Sequence, residues 1–194
     1  LMLTIIIIIT TAYLLGSIPF GLLIAKLKGI DIRQHGSGNI GATNVYRTMG
    51  SAYGIVVFAL DMLKGTLPVI LASQYTPNAW LIIAAGGAAA VGHMLPIFLK
   101  FKGGKGAATG LGVLLGIAPD VFLLAAVVAF LVIYITKYVS VGSICTAILV
   151  TASLYFLNRP PAYIIVAGLI TLLLIIRHIP NIKRLLNGTE NKIR

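Results

Sequence analysis

The sequence predicts an all-α, polytopic membrane bundle of seven transmembrane helices, with its N-terminus outside and its C-terminus in the cytoplasm, and three observations carry that prediction. Of 194 residues, 59% are apolar and only 10% charged, whereas about a quarter of a soluble domain is charged. Seven apolar runs follow one another with short polar stretches between them. Lysine and arginine gather on alternate polar stretches, as they do on cytoplasmic loops. No soluble domain, long linker or internal repeat interrupts the pattern, so residues 1–194 are expected to form a single integral membrane domain.

Length tests each run, because a spanning helix needs about 20 apolar residues to cross roughly 30 Å of hydrocarbon. The first run, Leu1 to Ala25, lacks the basic start and small-residue cleavage site of a signal peptide and reads as a retained helix from Leu3 to Ala25. Ala52 to Ser73, Ala79 to Leu99 and Val139 to Leu157 are also long enough, and Ala162 to Ile176 suffices if His178 and Ile179 extend it. The stretch from Ala107 to Thr136 is interrupted at Pro119-Asp120. Its first part, if helical, reaches only about 18 Å and is short enough to be re-entrant. Parity of the basic loops decides for crossing. With seven spans, Lys26, Lys28, Arg33, Arg47, Lys100, Lys102, Lys105, Lys137, Arg177, Lys183, Arg184, Lys192 and Arg194 all face the cytoplasm, Arg159 lies outside and Lys64 is intramembrane. Were the short helix not to cross, Lys137 and the basic C-terminus would change sides and the bias would largely vanish. A locally thinned or protein-lined region accommodates its shortness.

Composition excludes several functions. The net charge of +11 does not indicate nucleic acid, because removing the spans leaves no aromatic-studded soluble surface to bind it; the lipid bilayer, anionic headgroups and phosphorylated substrates are the fitting partners. The single cysteine, Cys145, sits in an apolar run without a partner for a disulfide or a thiolate cluster. The acidic residues are only Asp31, Asp61, Asp120 and Glu190, too few for the carboxylate clusters that hold magnesium. Neither a metal nor a cofactor is expected, and no obligate protein partner is evident. No histidine is followed five residues later by aspartate, so the His-Asp dyad of many glycerolipid acyltransferases is absent.

The polar chemistry is concentrated in loops on the predicted cytoplasmic face. The first runs from Asp31 to Thr48 and contains Ser37-Gly38-Asn39-Ile40-Gly41-Ala42-Thr43-Asn44, followed by Arg47. Gly36, Gly38 and Gly41 formally match a dinucleotide fingerprint, but a membrane span precedes them where that motif needs a strand of a parallel sheet. The underlying physics survives: glycines let backbone N–H groups converge on an anion, Ser37, Asn39, Thr43 and Asn44 add polar side chains, and Arg47 offers a bidentate phosphate contact. An ordinary turn rich in loop formers is the competing reading.

The second loop follows Gly92-His93 and includes Lys102-Gly103-Gly104-Lys105-Gly106. It is not a Walker loop, since Gly106 stands where serine or threonine would reach magnesium. Its glycines nevertheless permit close backbone approach around Lys105, and the following helix begins with its positive dipole end at the loop. Lys100 and Lys102 read as interfacial snorkelling residues. His93, near a helix C-terminus, is either a dipole-stabilising group or a functional one, and its closeness to the glycine-lysine loop favours function. His35 and His178 read as interface residues. Asp61 and Lys64 share a helix face within the second apolar run, as a structural ion pair or part of a site; Gly65 and Pro68 are expected to loosen that helix.

In this order and on one face, these segments resemble the bacterial acyl-phosphate:glycerol-3-phosphate acyltransferase family of integral membrane enzymes. Ser37-Gly-Asn-Ile-Gly-Ala-Thr-Asn44 is similar to its first signature, Asp61-Met-Leu-Lys-Gly65 to its second, and Gly92-His93 with Lys102-Gly-Gly-Lys-Gly106 to its third; the tail from Arg177 to Glu190 resembles its C-terminal stretch. The resemblance implies transfer of a fatty acyl group from acyl phosphate to the 1-hydroxyl of glycerol 3-phosphate, giving lysophosphatidic acid and inorganic phosphate at the start of phospholipid synthesis. It further implies an inner-membrane location with a cytoplasmic active site.

Two phosphates must then be seated together, which suits a protein with cationic glycine loops and few carboxylates. On that reading Arg47 and Lys105 carry phosphate charge, Ser37 and Asn39 hydrogen-bond a phosphate or the oxyanion, and Lys64 supplies a second anion contact. Gly38, Gly41, Thr43, Asn44, Gly103, Gly104 and Gly106 line the seats. His93 orients the acceptor or acts as base, unless a substrate phosphate takes the proton; Ser37 as a covalent nucleophile lacks a visible base. Ser143 and Asn181 are placed to complete the site, or simply cap helices. A carrier for phosphorylated solutes is the rival, weakened by outer loops that are short and poor in charge.

Overall fold

The structure, a computed structural model, describes residues 2–193, so Leu1 and the basic Arg194 lie outside the described residues. It is all-helical, with no strand among the described residues. The helices are α1 (Met2–Gly16), α2 (Phe20–Leu27), α3 (Ala42–Met49), α4 (Ser51–Tyr75), α5 (Ala79–Met94), α6 (Ala107–Ile117), α7 (Pro119–Thr136), α8 (Val139–Phe156) and α9 (Pro161–Leu186), with short 3-10 turns at Ile32–Gln34 and Ile97–Leu99. By length and composition five of the described helices can cross a membrane, or six when α1 and α2 count as one broken span. The chain divides after Ile117 into two compact units.

In the first unit α1 packs on α5, and α4 packs on both α5 and α6. Glycine makes these approaches possible. A side chain on Gly16 would fall on the backbone of Ala89, and one on Gly92 would fall on Tyr13 and Ser17, so α1 and α5 meet almost backbone to backbone. The α4–α6 seam is built likewise from Gly65 against Thr109 and Gly112 against Met62, and Thr66 Oγ1 donates across it to the Gly112 carbonyl at 2.8 Å. Small residues and hydroxyls of this kind hold helices together where lipid removes the usual hydrophobic drive. Gly65 therefore serves close packing, and α4 runs from Ser51 to Tyr75 with Pro68 inside it.

The expected single helix over Leu3–Ala25 is broken into α1 and α2, bent by 42°. Pro19 is the cause: it lacks an N–H, its ring crowds the preceding turn, and it disfavours helical geometry at Ile18. The break leaves the Ile18 carbonyl available to groups outside its own helix.

In the second unit α7, α8 and α9 follow in sequence and pack as neighbours. Thr171 donates to the Ala147 carbonyl at 3.1 Å and lies 3.0 Å from the Thr151 hydroxyl, joining α9 to α8. The helix of the seventh run, α9, extends well past Ile176, through Pro180 to Leu186. At one end of this unit Asp120 pairs with Arg159; at the other, the chain returns so that Ile193 donates its N–H to Lys137 at 2.8 Å.

Candidate functional site

The first loop owes its shape to one side chain. Asn44, buried in the first turn of α3, accepts the Ser37 N–H on Oδ1 at 2.8 Å, while Nδ2 faces the carbonyls of Ile32, His35 and Asn39 at 3.1, 2.9 and 2.8 Å. Expected as a substrate contact, Asn44 instead has its hydrogen-bonding capacity filled by the loop. Asn39 Oδ1 accepts the Gly41 N–H at 2.8 Å, turning the chain into α3. Gly36 and Gly38 adopt φ of 59° and 69°, in the left-handed region that favours glycine. The outcome is a rigid turn that presents Ser37, with no protein hydrogen bond to its hydroxyl among the described residues, and half-buried Thr43 and Arg47 on α3.

Beneath the turn, Ile32, Ile40 and Val45 join Leu22, Ala25 and Val57 in an apolar core, with Leu99 from the second polar loop packed against it. The two loops thus share one end of the first unit. Outside the core, Asp31 holds Arg33 in a two-pronged grip of 2.8 and 2.6 Å. The hydrogen bond from Arg33 lowers the Asp31 carboxyl to about 2.

Deeper in this unit lies a cluster of charges. The ammonium of Lys64 sits 2.7 Å from Asp61 Oδ1, and Nδ1 of His93 sits 3.5 Å from the same oxygen; all three side chains are buried. Lys64 also donates to the Ile18 carbonyl at 2.9 Å and lies 5.5 Å from the centre of the Phe20 ring. Lys64, expected to contact an anion, has its ammonium engaged by a carboxylate, a carbonyl at the helix break and an aromatic face. A charge at this depth needs such partners. Gly92 explains the position of His93, since its packing on α1 holds the end of α5 against the break.

The glycine-lysine loop folds back over His93. Gly104 donates its N–H to the His93 carbonyl at 3.0 Å. A side chain on Gly104 would land on Nε2 of His93, one on Gly103 would meet the His93 carbonyl and Pro96, and one on Gly106, at φ 84°, would strike Met94. These glycines serve packing against the end of α5, beyond the anion approach read from their spacing. Lys105 is held between Gly104 and Gly106, immediately before the first turn of α6 with its inward-facing N–H groups.

Among the predicted residues, Ser37, Arg47, His93 and Lys105 and their neighbours belong to the first unit. Ser143 and Asn181 belong to the second. Ser143 lies in the first turns of α8, half-buried. Asn181 is buried on α9 and donates to Glu190 Oε1 at 2.5 Å; the same carboxylate accepts from Ser140 at 2.9 Å and Arg184 at 2.7 Å. Burial alone would raise the Glu190 carboxyl, but hydrogen bonds from Asn181, Arg184 and Ser140 outweigh it and hold the group below its ordinary value. His178, expected at the interface, is buried with Nδ1 2.8 Å from the Leu174 carbonyl. The anchoring role of Glu190 and the contact between Asp61 and His93 were not read from the sequence. Pro19 inside an apolar run was the available signal for the helix break.

Fold and site together define an integral membrane protein with a buried Asp-Lys-His cluster and a glycine-lysine loop packed on its histidine. Residues 6–188 match the family model described as Glycerol-3-phosphate acyltransferase. Proteins named glycerol-3-phosphate acyltransferase from Trichlorobacter lovleyi and Bacillus subtilis are each 48% identical, with 96% of both chains covered. The crystal structure of PlsY (YgiH), an integral membrane glycerol 3-phosphate acyltransferase, in its glycerol 3-phosphate form superposes with a TM-score of 0.96 at 43% identity, covering 98% of this chain and 96% of that one. The lysophosphatidic acid form of PlsY gives 0.93. The chain belongs to the glycerol-3-phosphate acyltransferase family.

Proposed function

We propose that this protein transfers a fatty acyl group from acyl phosphate to the 1-hydroxyl of glycerol 3-phosphate, releasing lysophosphatidic acid and inorganic phosphate as the first step of phospholipid synthesis. Residues 1–194 act as a single acyltransferase domain of the bacterial inner membrane, with seven spans, an outer N-terminus and a cytoplasmic active site. The observation that supports the reading is the likeness to PlsY in its glycerol 3-phosphate form, with a TM-score of 0.96 at 43% identity over 98% of this chain. The two polar loops at one end of the first unit supply groups suited to two phosphates.

An acyl phosphate is already activated, because its leaving group is phosphate. The protein's task is therefore to orient two anionic substrates and to stabilise the charge that develops on the acyl oxygen. Arg47 and Lys105 carry the phosphate charge, and Ser37 and Asn39 donate hydrogen bonds from the rigid first loop. The 1-hydroxyl attacks the carbonyl carbon, the tetrahedral intermediate collapses with cleavage of the bond to phosphate, and the departing phosphate takes the hydroxyl proton. His93 orients that hydroxyl. Neither a cofactor nor a metal enters the scheme.

The test is release of inorganic phosphate by purified protein given long-chain acyl phosphate, with and without glycerol 3-phosphate, beside an acyl-CoA arm and the variant Lys105→Ala. Acceptor-dependent release matched by lysophosphatidic acid, absent with acyl-CoA and strongly reduced in the variant, supports the reading. Well-folded protein without acceptor-dependent release removes it and brings forward the phosphate carrier.

A further inference from the structure

We infer that the joint between α7, α8 and the C-terminal segment binds an anionic phospholipid, with Lys137 and Lys192 holding the headgroup phosphate and one face of α7 carrying an acyl chain. Neither lysine is assigned to acyl transfer, and the inference stands whether or not that reading holds. The course of the chain builds the headgroup end. Lys137 ends α7 in the left-handed region, at φ 63°, and its ammonium lies 4.4 Å from the centre of the Tyr134 ring. Tyr138 follows at once, just before α8, and the ammonium of Lys192 lies 5.6 Å from the centre of its ring. Both distances suit a cation over an aromatic face. Lys192 reaches this place because the chain folds back after α9: the Glu190 carboxylate is gripped by Ser140, Asn181 and Arg184, and Ile193 donates its N–H to the Lys137 carbonyl at 2.8 Å.

Both lysines are exposed, and no carboxylate of this unit balances them. Asp120 pairs with Arg159 at the opposite end, and Glu190 is buried among its three donors. Two uncompensated ammoniums at the end of a spanning helix attract an anionic headgroup, and aromatic rings at that level are the usual interfacial anchors. The acyl end is α7 itself. Leu123, Val127, Phe130 and Tyr134 recur at four- and three-residue spacing, so they share one helix face, and each is more than half exposed. Phe130 stacks on Tyr134 with ring centres 6.0 Å apart, so the apolar stripe runs without a break to the ring beneath the Lys137 ammonium. From Leu123 to Tyr134 the helix rises about 16 Å, roughly the hydrocarbon depth of one leaflet. A face that met only neutral lipid would need neither lysine, nor a C-terminal segment pinned to bring the second one beside the first.

Native mass spectrometry of the intact, delipidated protein in detergent micelles tests this, because it counts bound lipids and gives the dissociation constant of the first. Phosphatidylglycerol is titrated beside phosphatidylcholine of the same chains. The first phosphatidylglycerol should bind more tightly than phosphatidylcholine, and Lys137→Gln or Lys192→Gln should each weaken it about 5-fold, the two together about 25-fold. Lys26→Gln with Lys100→Gln removes the same charge from the first unit and should leave that constant within twofold of wild type. Equal binding of the two lipids overturns the proposal. So does an equal loss in the control pair, which would mean attraction by net charge alone. Displacement of the first phosphatidylglycerol by millimolar inorganic phosphate also overturns it, in favour of a site for free anions. Lys192→Gln lies on the exposed tail and leaves the end of α7 untouched, so it decides the matter if the Lys137 variant folds poorly. Acyl transfer does not enter the readout, and an inactive protein that binds phosphatidylglycerol in this way would refute only the reading of its activity.

Discussion

Asn44 and Gly104 show how single residues shape the site without needing to touch a ligand. The Asn44 side chain holds four backbone groups of the first loop, each such hydrogen bond contributing about 1 kcal/mol net when buried. Asn44→Ala should cost about 2–4 kcal/mol of stability, read as a lowered midpoint of thermal unfolding. Asn44→Asp should cost more than Asn44→Ala, because three carbonyl oxygens would then face an acceptor in place of a donor; an aspartate variant as stable as the alanine one would refute this assignment. For Gly104→Ala the added carbon collides with the His93 ring, so kcat/KM should fall about tenfold or more, consistent with loss of an oriented group. Steady-state kinetics at saturating acyl phosphate reads the effect. At this scale the sequence revealed residue types and spacing, and therefore the polar loops, Lys105 and His93. It could not reveal that Asn44 and the glycines meet protein groups, since the partners at Ile32 and His93 become neighbours only through folding.

Helices in this protein are told apart by what their glycines touch. On α6, Gly110 faces open space whereas Gly112 lies against the backbone of Met62 on α4. Gly110→Ala should stabilise the protein by about 0.5–1 kcal/mol through helix propensity, while Gly112→Ala should lower the unfolding temperature sharply by parting α4 from α6. Equal effects of the two substitutions on thermal melts would refute the seam. The length of apolar runs located α4, α5 and α8 well but missed the division of the first run, because hydropathy cannot register a proline that leaves composition apolar; the Lys64 contact to the Ile18 carbonyl was hidden with it. A second element-level consequence concerns the C-terminal segment, tied by Glu190 to α8 and α9. Its carboxyl lies below its ordinary value of 4.5 in the folded protein. The stability it adds is therefore present above about pH 4.5 and is lost as pH falls through the lowered folded value. Thermal melts between pH 7 and pH 3 should show a steeper acid loss for wild type than for Glu190→Gln, and parallel curves would exclude the linkage.

Charge distribution and helix length bear on how the whole chain threads the bilayer. With 11 residues, α6 extends about 16 Å, roughly half the hydrocarbon thickness. Yet its glycines press it against α4, and Thr66 donates to a carbonyl on it, so its backbone is sheltered by protein where a short span would otherwise meet headgroups. Placing α6 among the spans puts Asp120 and Arg159, which pair with each other, on the outer side, and puts Lys137, joined to the C-terminal segment, on the inner side. Leaving it out reverses both and sets Lys137, Arg177, Lys183, Arg184 and Lys192 outside, against the positive-inside bias. Single cysteines introduced at Asp120 and at Lys192, after Cys145→Ser, should be labelled in intact cells by an impermeant maleimide at the first position only, with the second becoming reactive after permeabilisation. Labelling of Lys192→Cys in intact cells would place the C-terminus outside and reduce α6 to a re-entrant helix.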